Sequence, residues 1–388
     1  MTQTKRITLA LLVPAALVVF VAARADEEHH EKFGSYKLLT TIDIPNGGLF
    51  GFDISWVDSE SGRYYLADRG TGKTPPTPRI DVIDTEKDKI LDQIGLSTAP
   101  NGVVAIHRTG TDDEQDQAGT LVVGGADSTA IFIDLARPHA TPFTVSTGGK
   151  DRADELAYDP RDHIILIAND RDVDLFVTFI STMNTPHVLG KIYYNGSVSG
   201  NPISTGGIEQ PVWDGAKKKF YLAIPSTQAN PNGEVDEIDP IAMKITRILS
   251  TTCKGGPAGL VLIPGQRLMT SCGDVIKIAN GNIMHTAGVG GDEIWFNRGD
   301  DRVYFGGGLD RISVPVVSGL SPFNLITTLT VGLIATPPAP NHTTHSVAAD
   351  SENNKIFVPV SHEGVKVYTA DEDNDNGNDN EDSDHHDN

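Results

Sequence analysis

The chain predicts an all-β fold, a seven-bladed β-propeller closed by an N-terminal strand that completes the last blade. Three features carry that expectation. One short phrase recurs seven times: an apolar strand, a turn, a second apolar strand, a polar loop, then a strand running into a reversal. Its copies open at Asp53 (DISWVD), Asn101 (NGVVAI), Glu155 (ELAYDP), Gln210 (QPVWDG), Gly259 (GLVLIP), Glu293 (EIWFN) and Ser346 (SVAAD). Starts fall roughly 35 to 55 residues apart, the period of one four-stranded blade. Turns are frequent, with 39 Gly and 23 Pro in 388 residues, and no long amphipathic helical pattern stands out. The seventh unit is one strand short, and the other end of the chain can supply it. A unit of this size cannot bury its own apolar face and must stack on neighbours.

Taken in order, the first 25 residues read as a secretory signal. Lys5 and Arg6 precede the apolar run from Ile7 to Ala22, and Ala23-Arg24-Ala25 is a small-x-small cleavage site. The mature chain is then expected to begin at Asp26 and to work in the periplasm or outside the cell. Residues 26–370 form the propeller. Tyr36 to Ile44 (YKLLTTIDI) reads like an outer strand. Arg79 to Asp84 (RIDVID) and Lys89 to Ile94 (KILDQI) form a hairpin, with Asp and turn residues between them. Thr129 to Asp134, Leu175 to Ile180, Glu234 to Asp239 and Arg311 to Val316 occupy the same slot in later units, and their alternation suits strands packed on a neighbouring blade. The second unit carries an insertion, Thr109 to Gly119, and the fifth is short, so six or eight blades are the competing counts. The seventh unit runs Ser346 to Ala349, Lys355 to Val360 and Val365 to Tyr368. Pairing Tyr36 to Ile44 with that last segment would close the ring and remove its open edges. Residues 371–388 are an acidic, low-complexity tail and are expected to be disordered.

Net charge is −21, from 31 basic and 52 acidic side chains. That balance opposes nucleic acid and anionic membranes as partners, because little here would neutralise phosphates. The two cysteines, Cys253 and Cys272, flank a predicted hairpin that returns both to one end. In an exported chain an even pair points to a disulfide, and a loop of about 20 residues contributes ~3 kcal/mol.

Chemistry is expected where the ring gathers its loops. The loop leading into each inner strand and the loop after each second strand share one rim. Asp53, Asn101, Glu155, Glu209 and Glu293 are the candidate metal donors there, with Ca²⁺ the first candidate ion because crowded carboxylates take a hard cation. Arg69, Asp127, Arg171, His342 and His362 are candidate ligand-binding residues of the rim. His345 is the candidate proton carrier for a metal-assisted hydrolysis, and with His342 and His362 it forms the alternative, softer set for zinc or copper. No nucleophile elbow, phosphate loop, HExxH or haem-attachment motif is present.

The phrases RIDVIDTEKDKILDQI, APNGVVAI, ADELAYDPRDHIILIAND and GEVDEIDP resemble the strand-turn-strand units of the bacterial YVTN/YncE-like family of exported seven-bladed propellers, over Phe33 to Thr369. The resemblance implies a monomeric binding module for a small molecule or an extracytoplasmic protein. Related superfamilies include calcium-dependent lactonases and phosphotriesterases, whose metal set is a Glu, two Asn and an Asp on inner strands. Asn101, Glu155 and Glu209 are the available counterparts, and a second inner Asn is not evident, which departs from that pattern. A metal-dependent lactonase or esterase at the same rim is therefore the alternative function.

Overall fold

Seven four-stranded antiparallel sheets form, six of them in simple chain order. The computed structural model describes residues 35–70, 77–107 and 119–370. The signal segment, nearly all of the Thr109 to Gly119 insertion and the acidic tail lie outside the described residues. The inner strands of blades one to seven are Gly51–Asp58, Pro100–Ile106, Leu156–Asp159, Pro211–Asp214, Leu260–Ile263, Ile294–Asn297 and Ala348–Ala349. Seven blades, and neither six nor eight, are observed. The fifth is the smallest, with strands of three or four residues.

Burial follows from position in a blade. Second and third strands such as Ile164–Asn169 and Phe176–Ser181 are buried throughout, since neighbouring blades cover both their faces. An outer strand such as Lys244–Ser250 alternates exposed and half-buried residues because one face meets water. Seven apolar clusters result, each between two successive blades and none within a single blade. Stability is thus shared around the ring in nearest-neighbour layers.

Turn chemistry repeats with the blades. Asp84, Asp159, Asp214, Asp239 and Asp350 each accept a backbone N–H from two residues on, at 2.9 to 3.1 Å. Four residues after each of them, Asp88, His163, Lys218, Met243 and Asn354 take positive φ between 50° and 58°. Part of the chain's acidity is therefore spent on folding hairpins. The strand expected from Arg311 opens instead at Ser313: Asp310 accepts from Ile312 N at 3.0 Å and Ser313 Oγ at 2.7 Å, and Arg311 itself sits at φ 61°.

Closure takes the expected form. Tyr36–Ile42 pairs antiparallel with Gly364–Ala370, from Tyr36 opposite Ala370 to Ile42 opposite Val365, with a bulge between Leu38 and Thr40. The strand stops two residues short of Ile44, whose side chain turns into the cluster between blades seven and one. Gly364, at φ 124°, is required at this seam, because a Cβ there would lie 2.3 Å from the Ile42 carbonyl oxygen. Tyr36 also donates and accepts beyond its own sheet, meeting Tyr304 Oη at 3.2 Å and receiving a hydrogen bond from Arg302 in blade six. Among the described residues no helix is long and apolar enough to cross a membrane.

Candidate functional site

Inner strands enter the channel from one face, and their opening residues crowd together there. A register break between Phe52 and Ser55 lets Asp53 leave the regular pleat. Arg69, at the end of the second strand of the same blade, donates to Asp53 and, at 2.7 Å, to Asn101 Oδ1 of blade two. Asn101 Nδ2 in turn donates to the Ala153 carbonyl at 2.9 Å, so blades one, two and three are joined in one chain of bonds. Gly102 allows this approach: a Cβ there would fall 2.2 Å from the Asp154 carbonyl oxygen.

Arg152 is the hub. Its guanidinium lies 3.4 Å from Asp53, 2.5 Å from Asp154 and 2.7 Å from Asp170. Burial works against the charged guanidinium, but the hydrogen bonds it donates to Asp170 and the charges of Asp154, Asp170 and Asp53 outweigh burial and raise its pKa. Arg171 adds a second cation to Asp170, 3.1 Å away. His345 stacks on Phe52 with ring centroids 4.7 Å apart and places Nε2 3.3 Å from Asp53 Oδ1. Burial of Asp53 is outweighed by His345, Arg69 and Arg152 together, which hold its carboxyl below the usual range. Among the described residues no hydroxyl or thiol is hydrogen-bonded to the His345 ring.

The remaining acids behave differently. Burial, followed by the charges of Asp170 and Asp292, pushes Glu209 up to about 8. Asp154 is raised by burial and by Asp53 and Asp170, since one guanidinium cannot neutralise three carboxylates. Glu155 and Glu293, from blades three and six, adjoin across the channel and line one cavity. Two adjoining buried carboxyls cannot both stay ionised at low cost, and burial is the first cause that raises both. Seven carboxyls and three guanidiniums gather at this face.

Beneath the Glu155–Glu293 pair runs a cavity of 370 Å³ along the inner strands. Trp56, Tyr158, Trp213, Trp295 and Phe296 line it, all half-buried, together with aliphatic residues. The chain has three tryptophans and all three face this space. Trp56 and Trp295 meet edge to face at 5.1 Å.

Of the residues expected at the rim, Asp53, Asn101, Glu155, Glu209, Glu293, Arg69, Arg171 and His345 come together. Asp127 does not join them: it is exposed, accepts from Thr129 Oγ1 at 2.5 Å, and faces a groove along the outer strands of blades one and two. His342 and His362 form a separate group on blade seven, 5.9 Å apart, with His342 Nδ1 2.8 Å from Glu363 Oε1. Cys253 and Cys272 are disulfide-bonded, with Cα atoms 5.7 Å apart. Arg152 and the aromatic lining were not anticipated. A signal existed for the second, because an aromatic recurs near the end of DISWVD, ELAYDP, QPVWDG and EIWFN.

A calcium site would need several of these oxygens free to converge on one ion. Asp53, Asp154 and Asp170 are engaged by arginine, and Glu155 and Glu293 by each other. Among the described residues, the one trio of His, Cys, Asp or Glu with ligand atoms within 4.8 Å of one another is Cys253, Cys272 and Asp274, whose sulfurs are already bonded together. As they stand, the rim residues do not form a cage for a hard cation.

No family model and no curated protein matches the chain. Among solved structures 1272 chains match, a breadth that speaks for a common architecture and not for one activity. One of them, in a crystal structure of the mitotic checkpoint complex, is 13% identical with a TM-score of 0.60, covering 95% of this chain and 99% of that one. At that identity the likeness is one of fold alone: this chain is a seven-bladed β-propeller.

Proposed function

We propose that this is an exported binding module of the YVTN/YncE-like kind, recognising a polar ligand or a protein partner at its ion-paired rim. The supporting observation is Arg152: it and its neighbours already bond the rim acids, so the face presents a fixed array of donors and acceptors. Such an array suits recognition, because prearranged groups cost little to order on binding. The disulfide fits an oxidising compartment outside the cytoplasm. The matched chain of known structure was solved within a complex, which agrees with a propeller acting as a binding surface.

A thermal-shift screen of polar small molecules and peptides, run beside a panel of lactones and esters with calcium added, tests this reading. We expect stabilising ligands whose effect is lost in Arg171→Ala, no calcium-dependent shift in Tm, and no turnover. Arg171 suits the test because its side chain is 67% exposed and its loss leaves the buried Arg152 network in place. Calcium-dependent hydrolysis abolished by His345→Ala would overturn the reading in favour of a metal-dependent esterase.

A further inference from the structure

We infer that the central channel is a binding site for an organic ammonium ion carrying a compact apolar body, entered from the face opposite the ion-paired rim. The site lies below the ion-paired rim proposed above and takes from that face only the Glu155–Glu293 pair. Its cavity extends to Pro160 and Arg298, which lie in the turns at the far end of their inner strands, and does not reach Asp53, Arg69 or Arg152.

The head site is the Glu155–Glu293 pair. These side chains belong to residues only 3% and 7% exposed, yet they line the cavity, and Oε2 of each has no hydrogen-bond partner. Two buried acceptors without donors are costly, and a ligand that supplies N–H groups removes that cost. With one proton between them, two such carboxyls carry one negative charge. An ammonium group answers both needs at once: it brings the opposite charge and several donors. A carboxylate ligand would bring a third acid to the same place.

The body site is aromatic. Tyr158 lies three residues along its strand from Glu155, which puts the aromatic belt about 10 Å below the head site at ~3.3 Å per residue. Trp213 sits at the same place in its own blade and Trp56 and Trp295 stand one residue nearer the carboxyl pair, where ring faces attract a cation on its way in and cover an apolar body once it has entered. At 370 Å³ the space admits a single-ring or short-chain amine, within the range of small-molecule sites. Arg298 is exposed on the outer lip, at the end of the cavity away from the carboxyl pair.

Because every tryptophan lines the cavity, intrinsic fluorescence reads occupancy directly. The purified protein is titrated with 2-phenylethylammonium, with neutral 3-phenylpropan-1-ol and with anionic 3-phenylpropanoate. The ammonium probe is expected to change the emission saturably and to bind about ten-fold more tightly than the alcohol, with the anion weakest. Glu155→Gln with Glu293→Gln should erase that preference; Trp213→Leu, which leaves the pair intact, should weaken all apolar probes and keep the preference. Circular dichroism confirms that each variant is folded. Equal binding of ammonium and alcohol, tighter binding of the anion, or no saturable change at millimolar probe would overturn the inference. So would loss of ammonium binding in Arg171→Ala, since the signal would then come from the rim. Retained binding in that variant leaves the inference standing even where the rim reading fails.

Discussion

The two ends of the channel solve opposite problems with the same strands. At the loop end the inner strands deliver acids, and burial makes each carboxylate expensive until a guanidinium or a proton meets it. At the turn end they deliver aromatics, which gain from being covered and here are only half covered. The loop end is largely paired internally: Arg69, Arg152, Arg171 and His345 contact its acids. The turn end is unsaturated, with three tryptophans around an open space and two acceptors above them. Removing a group should therefore damage the first end and merely empty the second.

The largest effect is expected at Arg152. Arg152→Met would leave Asp53, Asp154 and Asp170 sharing one buried face without their common cation, and breaking a buried ion pair costs about 3–5 kcal/mol. Urea denaturation at neutral pH measures it. The variant should recover stability as pH falls, because protonation of the three carboxyls then replaces the lost charge.

A smaller effect separates the protonated acids from the paired ones. Glu209 has a folded pKa of about 8 against an ordinary value of 4.5. A carboxyl raised on folding gives its full stabilisation below the unfolded value and loses it as pH rises through the folded one. Tm of the protein should accordingly fall between about pH 5 and pH 9, and Glu209→Gln should flatten that slope. A Tm that rises over this range would show that the acids at this face are ionised when folded.

The smallest effect belongs to the aromatic end. Trp213→Phe keeps the contact with Phe220, 4.9 Å away between ring centroids, and trims only the part facing the cavity. We expect less than about 1 kcal/mol in denaturation, since little buried area is lost, together with a measurable change in probe binding. A loss as large as that of Arg152→Met would mean that the indole is part of the core and that the cavity is closed in solution.

Much of this was legible in the chain. The sevenfold phrase favours seven blades over six or eight, and Tyr36 to Ile44 could be assigned to the last blade because a ring leaves one strand to be filled from the other terminus. The gathering of Asp53, Asn101, Glu155, Glu209 and Glu293 followed from blade geometry alone. Their partners did not. Arg152 stands in an acid-rich loop, DRADE, where nothing local marks it as the residue that ties three carboxylates of blades one and three together. The Glu155–Glu293 contact joins blades three and six across the axis, and strand periodicity carries no information about what faces what across an opening. Asp127 misled for the converse reason: it shares a slot with Asp68 and Asp274, which are fully buried, but in blade two that loop turns outward. The tryptophans were visible in the repeated phrase, yet alternation does not say which side of an inner strand looks into the channel.

Infrared spectroscopy of the carboxylic C=O stretch tests the charge balance of the loop end most directly. At neutral pH the protein should retain a buried, protonated carboxyl band that is unaffected by calcium and is diminished in Glu155→Gln with Glu293→Gln. A spectrum showing every carboxyl ionised at that pH, or a band that disappears when calcium is added, would contradict an acid cluster neutralised by its own arginines and shared protons.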